Sequence, residues 1–298
     1  MPPAVYSPVG ALRSVLYAAA NDTGGWGYFP RKLSRLEPTC WTLLALGAAG
    51  ADRASLARHT DWLMRVQQTN GWLVEEPTWP VNIAFNALTA FVWFSADTAI
   101  DDGRRRLLDA LVGSKGVQAE NDPHPLQDNR LQGWPWTDGT FSWVEPTAWG
   151  LLALKKARNA GLGTPALASR IDEAERLLID RVCQSGGWNF GNAVTMEQDL
   201  RPYVPTTALG LLALQDRPTQ PSVSQSLAYL QDHWADEISA PALALSLLCL
   251  DVFGRPTAPV ARRLEAHAPR AEAFGNICGE AMALFSLSAR GHRHAFRL

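Results

Sequence analysis

The chain has 298 residues, of which 47% are hydrophobic, so it is long enough and apolar enough to bury a large core. Its 27 basic and 29 acidic residues are interspersed and give a formal net charge of −2. That balance excludes the strongly basic footprint of a protein that binds nucleic acid or an acidic membrane surface, so we expect no nucleic-acid partner.

Cysteine usage and hydropathy indicate a compartment. The four cysteines have no CxxC spacing, and at least two lie in apolar helical runs, which predicts buried free thiols in a reducing environment. No apolar run reaches the roughly 18 residues that a membrane span needs, and the first residues lack the basic region of a signal peptide. The sequence therefore predicts a cytoplasmic protein without a transmembrane segment.

A helix with one apolar face is predicted six times along the chain. In the second of these helices Leu56, His59 and Leu63 recur at spacings of three and four, with charged residues between them. Each such helix has one solvent-exposed face, and we call them the outer helices. Their predicted ranges are 8–20, 52–68, 101–114, 164–183, 221–233 and 256–268.

Each outer helix is followed by a helix that is apolar on almost every side. These inner helices are predicted to open at Pro38, Asn82, Pro146, Pro205, Pro241 and Cys278, and the best copies read PTCWTLLAL, PTAWGLLAL, PTTALGLLAL and PALALSLLCL. Proline is expected at the first helical position, where its missing N–H costs no hydrogen bond. A helix that is apolar all round must be covered on both sides.

The repeat predicts the architecture. Six covered inner helices and six half-exposed outer helices predict one domain, residues 1–298, of the all-α (α/α)6 toroid class. The inner helices would then point their partially positive N-termini at one rim, where a ligand site is expected. Two long insertions, 119–132 and 193–203, are either functional loops or plain surface loops.

The motifs carry a family resemblance. Gly25-Trp26-Gly27-Tyr28-Phe29, Gly187-Trp188-Asn189-Phe190-Gly191 and the VEPTAWGLLAL run at 144–154 resemble the squalene-cyclase and protein-prenyltransferase superfamily. The resemblance covers all six repeats and implies the same toroid. The segments around Trp72 and Trp188 are similar, in imperfect form, to the structural Gln-Trp motifs of that family. Because this superfamily hosts several functions on one fold, the fold does not choose among them.

The run Val144-Glu145-Pro146-Thr147-Ala148 resembles the acid motif of class II terpene cyclases, which protonate an alkene or an epoxide. The resemblance implies Glu145 as the proton donor and Glu37 as a second carboxylate. It also implies an apolar lumen for a prenyl or polyprenyl chain, lined by Trp41, Trp143, Trp149 and Trp188. The match departs in three ways: Glu replaces Asp, Trp143 stands where the family has its first Asp, and Pro146 replaces a neighbouring Asp or Cys. Cyclases of this class also generally use two toroids.

Alternatives remain for each candidate residue. Glu-Pro-Thr recurs at 37–39, so Glu145 is either an acid or a recurring helix-start carboxylate. Asn82 and Asn86 share one helix face and either contact a ligand or form a buried hydrogen-bonded pair that ties two helices. Arg201 and Tyr203 precede the fourth inner helix, where they either bind an anionic headgroup or diphosphate or make plain loop contacts.

Other members of the superfamily fit less well. No histidine falls within an inner helix and no DxC element occurs, which disfavours zinc-dependent prenyl transfer, and we expect no metal and no cofactor. Cys278-Gly279-Glu280-Ala281 is similar to part of the CGEQ motif of thioester proteins, but Ala281 replaces the required Gln, so we assign this segment to core packing.

Two rival functions stay open. One is a noncatalytic toroid that binds a protein or lipid, with a possible protein partner or homo-oligomer. The other is a carbohydrate-active enzyme in which Glu37, Asp138 and Glu145 supply an acid and a base. Of the remaining polar segments, Asp101-Asp102 is expected to open an outer helix, Asp122-Pro123-His124 to lie in a surface loop, and residues 290–294 to form a solvated tail.

Overall fold

The computed structural model describes residues 7–96, 99–118, 127–291 and 293–298, so the loop predicted around His124 lies outside the described residues. Within them the chain forms twelve α-helices and one short β-hairpin. Predicted outer and inner helices alternate as expected. The strands β1 (Val194–Thr195) and β2 (Gln198–Asp199) pair antiparallel in the second insertion, which the sequence had predicted only as a loop.

The helices begin and end close to the predicted positions. The outer helices are α1 (Pro8–Ala18), α3 (Arg53–Arg65), α5 (Asp102–Gly113), α7 (Pro165–Asp180), α9 (Pro221–His233) and α11 (Ala258–Phe274). The inner helices are α2 (Leu36–Ala48), α4 (Ile83–Ser95), α6 (Val144–Asn159), α8 (Val204–Ala213), α10 (Ala240–Val252) and α12 (Ile277–Ala289).

The prolines do not occupy the first position of the inner helices, and that prediction is wrong. Pro38 and Pro146 are the third residues of α2 and α6, while Pro205 and Pro241 are the second residues of α8 and α10. The ring costs no hydrogen bond at these positions either, because the first four N–H groups of a helix have no partner within it.

By contacts the chain divides into two compact units. Unit 1 comprises residues 1–65 with 236–294, and unit 2 comprises residues 66–235 with 295–298. In unit 1 the inner helix α12 packs against both α2 and α10, so the first and last inner helices of the chain are neighbours. In unit 2, α6 packs between α4 and α8, with the outer helix α7 against it.

The Gly-Trp turns are clamped by the threonine at the fourth position of the following inner helix. The backbone N–H of Trp26 donates to Thr39 Oγ1 (2.9 Å), that of Trp134 to Thr147 (3.1 Å) and that of Trp188 to Thr207 (3.0 Å). The three indole N–H groups donate to the carbonyls of Leu16, Leu111 and Leu178 in the preceding outer helices. In each of these three copies, one threonine and one tryptophan thus join the outer helix, the turn and the inner helix.

Each turn also joins a second inner helix through the residue two positions after its tryptophan. The carbonyl of Tyr28 accepts from the N–H of Ile277, the first residue of α12 (2.9 Å). Within unit 2, the carbonyls of Trp136 and Phe190 accept from the first residues of α4 and α6, Ile83 (2.8 Å) and Val144 (2.9 Å). These bonds satisfy helix-start donors that have no partner inside their own helix.

Charged residues are buried between α6 and α7. The Lys155 side chain is fully buried; its Nζ lies 2.7 Å from Glu175 Oε1, contacts Asp216 and donates to the Ala213 carbonyl (2.8 Å). Arg217 also binds Glu175, at 2.7 Å. The carboxylates and the carbonyl compensate the buried ammonium, so this face of α6 is polar without facing water.

The segment after α12 is only partly a solvated tail: Gly291 and Arg293 are exposed, but the prediction is wrong for His294. The His294 side chain is 2% exposed, lies against Phe285 and places Nε2 3.2 Å from Asp251 Oδ2. Within unit 2, Phe296 is fully buried against Phe91 (4.8 Å between ring centroids) and Trp149 (5.9 Å). The chain is held after α12 because its apolar side chain fills space between inner helices.

Candidate active site

The second residue of each inner helix is the position that contains both candidate acids. Its occupants, in chain order, are Glu37, Ala84, Glu145, Pro205, Pro241 and Cys278. Both glutamates are half-buried, and most of the residues that follow them in α2 and α6 are buried. A carboxylate at this position faces the positive end of the helix.

In unit 1, Glu37 is held by a tyrosine that sequence reasoning missed. The Tyr28 hydroxyl donates to Glu37 Oε2 at 2.6 Å. Burial, and then the negative charge of Glu37 and this hydrogen bond, raise the pKa of Tyr28 far above its usual range. The phenol therefore remains a donor at any physiological pH, and one oxygen of the carboxyl group stays bound to it.

A cation and a thiol complete the surroundings of Tyr28. The Arg35 guanidinium lies 5.7 Å from the centre of the Tyr28 ring, and its charge acts to lower the pKa of that tyrosine. Cys278, which is 7% exposed, acts on Tyr28 in the opposite direction. The bond between the Tyr28 carbonyl and the N–H of Ile277 brings the first residues of α12 next to Tyr28, and no local sequence pattern signals it.

The remaining surroundings of this cluster in unit 1 are deeply buried. Trp41, one turn after Glu37 on α2, is 1% exposed and packs edge-on against Phe285, with 6.3 Å between ring centroids. Glu280, which the sequence assigned to core packing with its neighbours, is fully buried at the fourth residue of α12. That position is the one that threonine occupies in α2.

In unit 2, Glu145 lies next to an exposed row of aromatic rings. Trp143, the N-cap of α6, stacks on Phe141 at 4.9 Å. Phe190, whose carbonyl binds the start of α6, packs on Tyr203 at 4.8 Å. Phe141, Phe190 and Tyr203 are each about half exposed, so Glu145 lies at an aromatic surface rather than under one.

Trp149 and Trp188 are less accessible than a residue that lines an open lumen. Trp149 is 3% exposed and is covered by Phe91 and Phe296. Trp188 is fully buried, and its ring packs against Gly210, where an added Cβ would lie 2.9 Å from it. The geometry gives Trp188 the structural role of a turn clamp, and ligand contact by either residue stays a prediction.

Asn82 and Asn86 have separate structural roles. Asn82 is the N-cap of α4, and its Oδ1 accepts from the N–H of Phe85 (2.9 Å). Asn86 is fully buried; its Oδ1 accepts from the N–H of Leu73 (2.8 Å), and its Nδ2 donates to the carbonyls of Leu73 and Asn82. These contacts correspond to the hydrogen-bonded alternative, except that they tie the helix to the preceding turn rather than to another helix.

Arg201 and Tyr203 lie at the end of the second insertion. Arg201 is exposed, and Tyr203 is the N-cap of α8, with its ring against Phe190. The neighbouring hairpin turns at Met196 and Glu197, both in the left-handed region (φ 51° and 59°), and presents Met196 with 91% of its surface exposed. Binding of an anionic group by Arg201 and Tyr203 stays a prediction.

The part of the chain that the structure describes contains no cluster of metal-binding side chains and no membrane-spanning helix. Within it, no three or more His, Cys, Asp or Glu side chains are grouped so that they could hold a metal ion. No described helix has both the length and the apolar composition to cross a membrane.

Comparisons with known proteins give structural matches. Neither a scan of protein-family models nor a search of curated proteins found a match. Among solved structures, the chain is similar to the type II terpene cyclase MstE from Scytonema, with a TM-score of 0.64 and 15% identity over 94% of this chain and 96% of that one. It is also similar to a protein from Actinoplanes, with a TM-score of 0.56 and 15% identity over 94% and 97%.

A third similar structure belongs to a different class of enzyme. It is the endo-β-1,4-glucanase CMCax from Acetobacter xylinum, with a TM-score of 0.60 and 13% identity over 96% of this chain and 99% of that one. At these identities the likeness establishes the fold alone. The chain has the all-α (α/α)6 toroid fold class that the repeat predicted, and this fold class is found in a terpene cyclase and in a glucanase.

Proposed function

We propose that this protein is an isoprenoid-handling enzyme of the class II terpene cyclase type, with Glu145 as proton donor and Glu37 as a second carboxylate. The observation that supports the proposal is the presence of carboxylic acids at the second position of the inner helices. Two of its six occupants are carboxylic acids, both half-buried at the start of an apolar helix. A partly desolvated acid beside apolar and aromatic surface suits protonation of an alkene.

The proposed step balances without a cofactor. The carboxyl O–H bond breaks, a C–H bond forms on the alkene, and the substrate is left as a carbocation beside the carboxylate. Aromatic faces stabilise such a cation; Trp143 and Trp149 are the proposed contacts in unit 2, with Glu145, and Trp41 is the proposed contact in unit 1, with Glu37. In unit 1 the Tyr28 hydroxyl donates to Glu37 Oε2 and so holds the second carboxyl group in place.

The extent of the chain is compatible with this reaction class. Class II cyclases generally use two toroids, whereas the sequence of this chain predicts one. The Scytonema protein, described as a type II terpene cyclase, matches this chain over 96% of its own length. A chain of about this size therefore suffices for that class, and the single toroid does not count against the proposal.

The glucanase match supports carbohydrate hydrolysis as the second candidate. That enzyme matches over 99% of its length, and the exposed rings around Glu145 could stack on sugars. Asp138 would then join Glu145 as the second carboxyl group of the pair.

The proposal is tested by cyclisation in heavy water. The purified protein is incubated in D₂O with farnesol, geranylgeraniol or squalene, and products are analysed by mass spectrometry. Because the reaction begins with transfer of a solvent-exchangeable proton, each cyclised product is expected to carry one deuterium on carbon. Glu145→Gln is expected to lower turnover by about 100-fold or more, as loss of a general acid does.

Control variants separate the acids from general damage to the protein. Glu197→Gln, in the exposed hairpin turn, removes an equal charge from unit 2 and is expected to leave turnover unchanged. Glu37→Gln reports on the second carboxylate in unit 1. The proposal is abandoned if no isoprenoid binds or reacts, or if Glu145→Gln retains wild-type turnover. Release of reducing sugar from a β-1,4-glucan, lost in Glu145→Gln and Asp138→Asn, would instead establish the second candidate.

A further inference from the structure

The second copy of the turn departs from the other copies at one position. Leu73 exchanges two hydrogen bonds with Asn86, the fourth residue of α4. In the first, third and fourth copies the fourth residue is a threonine and its partner is the turn tryptophan, as in Thr39 with Trp26. Leu73, and not Trp72, is therefore the structural counterpart of the buried turn tryptophans.

Trp72 consequently stands where the other copies have glycine. At Gly25, Gly133 and Gly187 an added Cβ would lie 2.9, 2.1 and 2.5 Å from the clamping threonine hydroxyl, so those positions exclude a side chain. In this copy Asn86 replaces the threonine. The left-handed conformation of the turn falls on Gly71 (φ 93°), and Trp72 is not among the residues with positive φ. Two linked exchanges thus place an indole where the repeat otherwise forbids one.

The side chain of Trp72 lines a cavity in unit 2. The cavity has a volume of about 350 Å³, with Trp72 on one wall and Val81 and Ile83 among its apolar lining. Asp138 and Ser114, which follows the last residue of α5, provide its polar groups. The space is large enough for a small organic molecule, and Ala84, Glu145 and Pro205, the second residues of α4, α6 and α8, do not line it.

Among the described residues that line this cavity, the charged side chain is that of Asp138. Asp138 is an exposed carboxylate, and the C-terminal end of α5 contributes partial negative charge. The face of an indole ring is also electron-rich. Cations of neighbouring segments do not line the cavity: Arg106 lies on α5 beside Gly71, Lys115 pairs with Glu173, and the Arg170 guanidinium is stacked at 4.1 Å on buried Trp134.

We propose that the Trp72–Asp138 cavity is a binding site for a small organic cation of the alkylammonium class. The alkyl groups would contact Val81 and Ile83, the charge would face the indole of Trp72, and the Asp138 carboxylate would balance it. The proposed cyclisation uses no residue of this site, so the site does not depend on the proposed function; Asp138 is shared only with the second candidate, carbohydrate hydrolysis.

Calorimetric titration with choline tests the site. Its neutral isostere, 3,3-dimethylbutan-1-ol, has the same shape without the charge and is expected to bind at least about 10-fold more weakly, given a cation–π and carboxylate contribution of 1–2 kcal/mol. Trp72→Gly restores the residue of the other copies and is expected to weaken choline binding about 10-fold. Asp138→Asn is expected to weaken it by a similar factor.

Matched variants and competing ligands decide the outcome. Asp232→Asn removes an exposed carboxylate elsewhere in unit 2 and is expected to leave choline binding unchanged. Equal binding of choline and the neutral alcohol would overturn the proposal, as would choline binding that survives both Trp72→Gly and Asp138→Asn. Absence of choline binding, or binding of cellobiose in its place with the same dependence on Trp72, would also overturn it. Because isoprenoid turnover is measured separately, this result leaves the proposed function untouched.

Discussion

At the scale of single residues, the hydrogen bonds around the Gly-Trp turns explain why several copies of the repeat have the same side chains at the same positions. Gly25 donates its N–H to His59 Nδ1 (2.9 Å), as Gly187 donates to Ser226 (2.8 Å), so an outer helix holds the turn from the other side. The His59 ring is 2% exposed and stacks on Trp26 at 3.9 Å. Its acceptor role requires the neutral imidazole.

The stability of the protein is expected to fall in acid because of this histidine. Burial, and then the charge of Arg58, lower the pKa of His59 to about 4. Between pH 6.5 and 4 the unfolded chain binds a proton at this position and the folded chain does not, so the contribution is complete above pH 6.5 and is lost toward pH 4. The expected loss is about 2–3 kcal/mol of unfolding free energy.

Urea denaturation at pH 7 and pH 4.5 measures this loss, with His59→Gln as the comparison. Glutamine keeps an acceptor near Gly25 but does not titrate. The variant is expected to lose less stability than the wild type over this pH interval. Identical pH dependence in the two proteins would show that another group is responsible.

The candidate acids could be predicted at this scale, but their partners could not. Glu37 and Glu145 were found because Glu-Pro-Thr recurs in the sequence. Tyr28 and Cys278 were missed because they come together through the carbonyl bond between two distant copies, which leaves no local pattern. The alignment of Asn82 with Pro38 was wrong by three residues. Asn86 accepts a hydrogen bond from the backbone of the preceding turn as Thr39 does, so Phe85 is the residue that corresponds to Pro38.

At the scale of helices, amphipathic periodicity was enough to predict α1 to α12 but not what lies between α6 and α7. The Lys155 side chain is fully buried in an otherwise apolar run. Periodicity assigned the charges of α7 to a solvent face, whereas Arg170 and Glu175 are 3% and 4% exposed. A charge that is buried with its partner has the same sequence pattern as one in water.

Lys155→Met is expected to destabilise the protein by about 3–5 kcal/mol. Removing the ammonium leaves the Glu175 and Asp216 carboxylates close together with less compensating charge, and breaking one side of a buried ion pair costs this much. Lys115→Met is the matched control, because Lys115 pairs with Glu173 at 3.2 Å while remaining 43% exposed, and an exposed pair contributes about 1 kcal/mol or less. Chemical denaturation of both variants measures the difference, and comparable losses would contradict the assignment.

At the scale of the whole molecule, the sequence predicted one domain, while contacts divide the chain into two compact units. The units are not consecutive in sequence. Residues 1–65 associate with 236–294, and residues 295–298 return to unit 2 through buried Phe296. The repeat could not predict this division, because each copy has the same pattern whichever unit it belongs to.

One domain predicts one cooperative unfolding transition. Differential scanning calorimetry is expected to give a single peak whose calorimetric and van't Hoff enthalpies agree. Trp41→Ala, in unit 1, and Phe296→Ala, in unit 2, are each expected to shift that whole peak downward, since each deletes a buried ring worth about 3–5 kcal/mol. Two peaks, with each variant moving only one of them, would establish two domains and refute the prediction.

The bond between the Tyr28 carbonyl and the N–H of Ile277 has a kinetic consequence. The same kind of bond joins Trp136 to Ile83, but there it closes a much shorter stretch of chain. Closing nearly the whole chain costs roughly 1 kcal/mol more in loop entropy, because that cost grows with the logarithm of length. We therefore expect the contact that completes the Tyr28–Glu37 cluster to form late during folding, and a chain interrupted before α12 lacks Ile277 and so cannot make it.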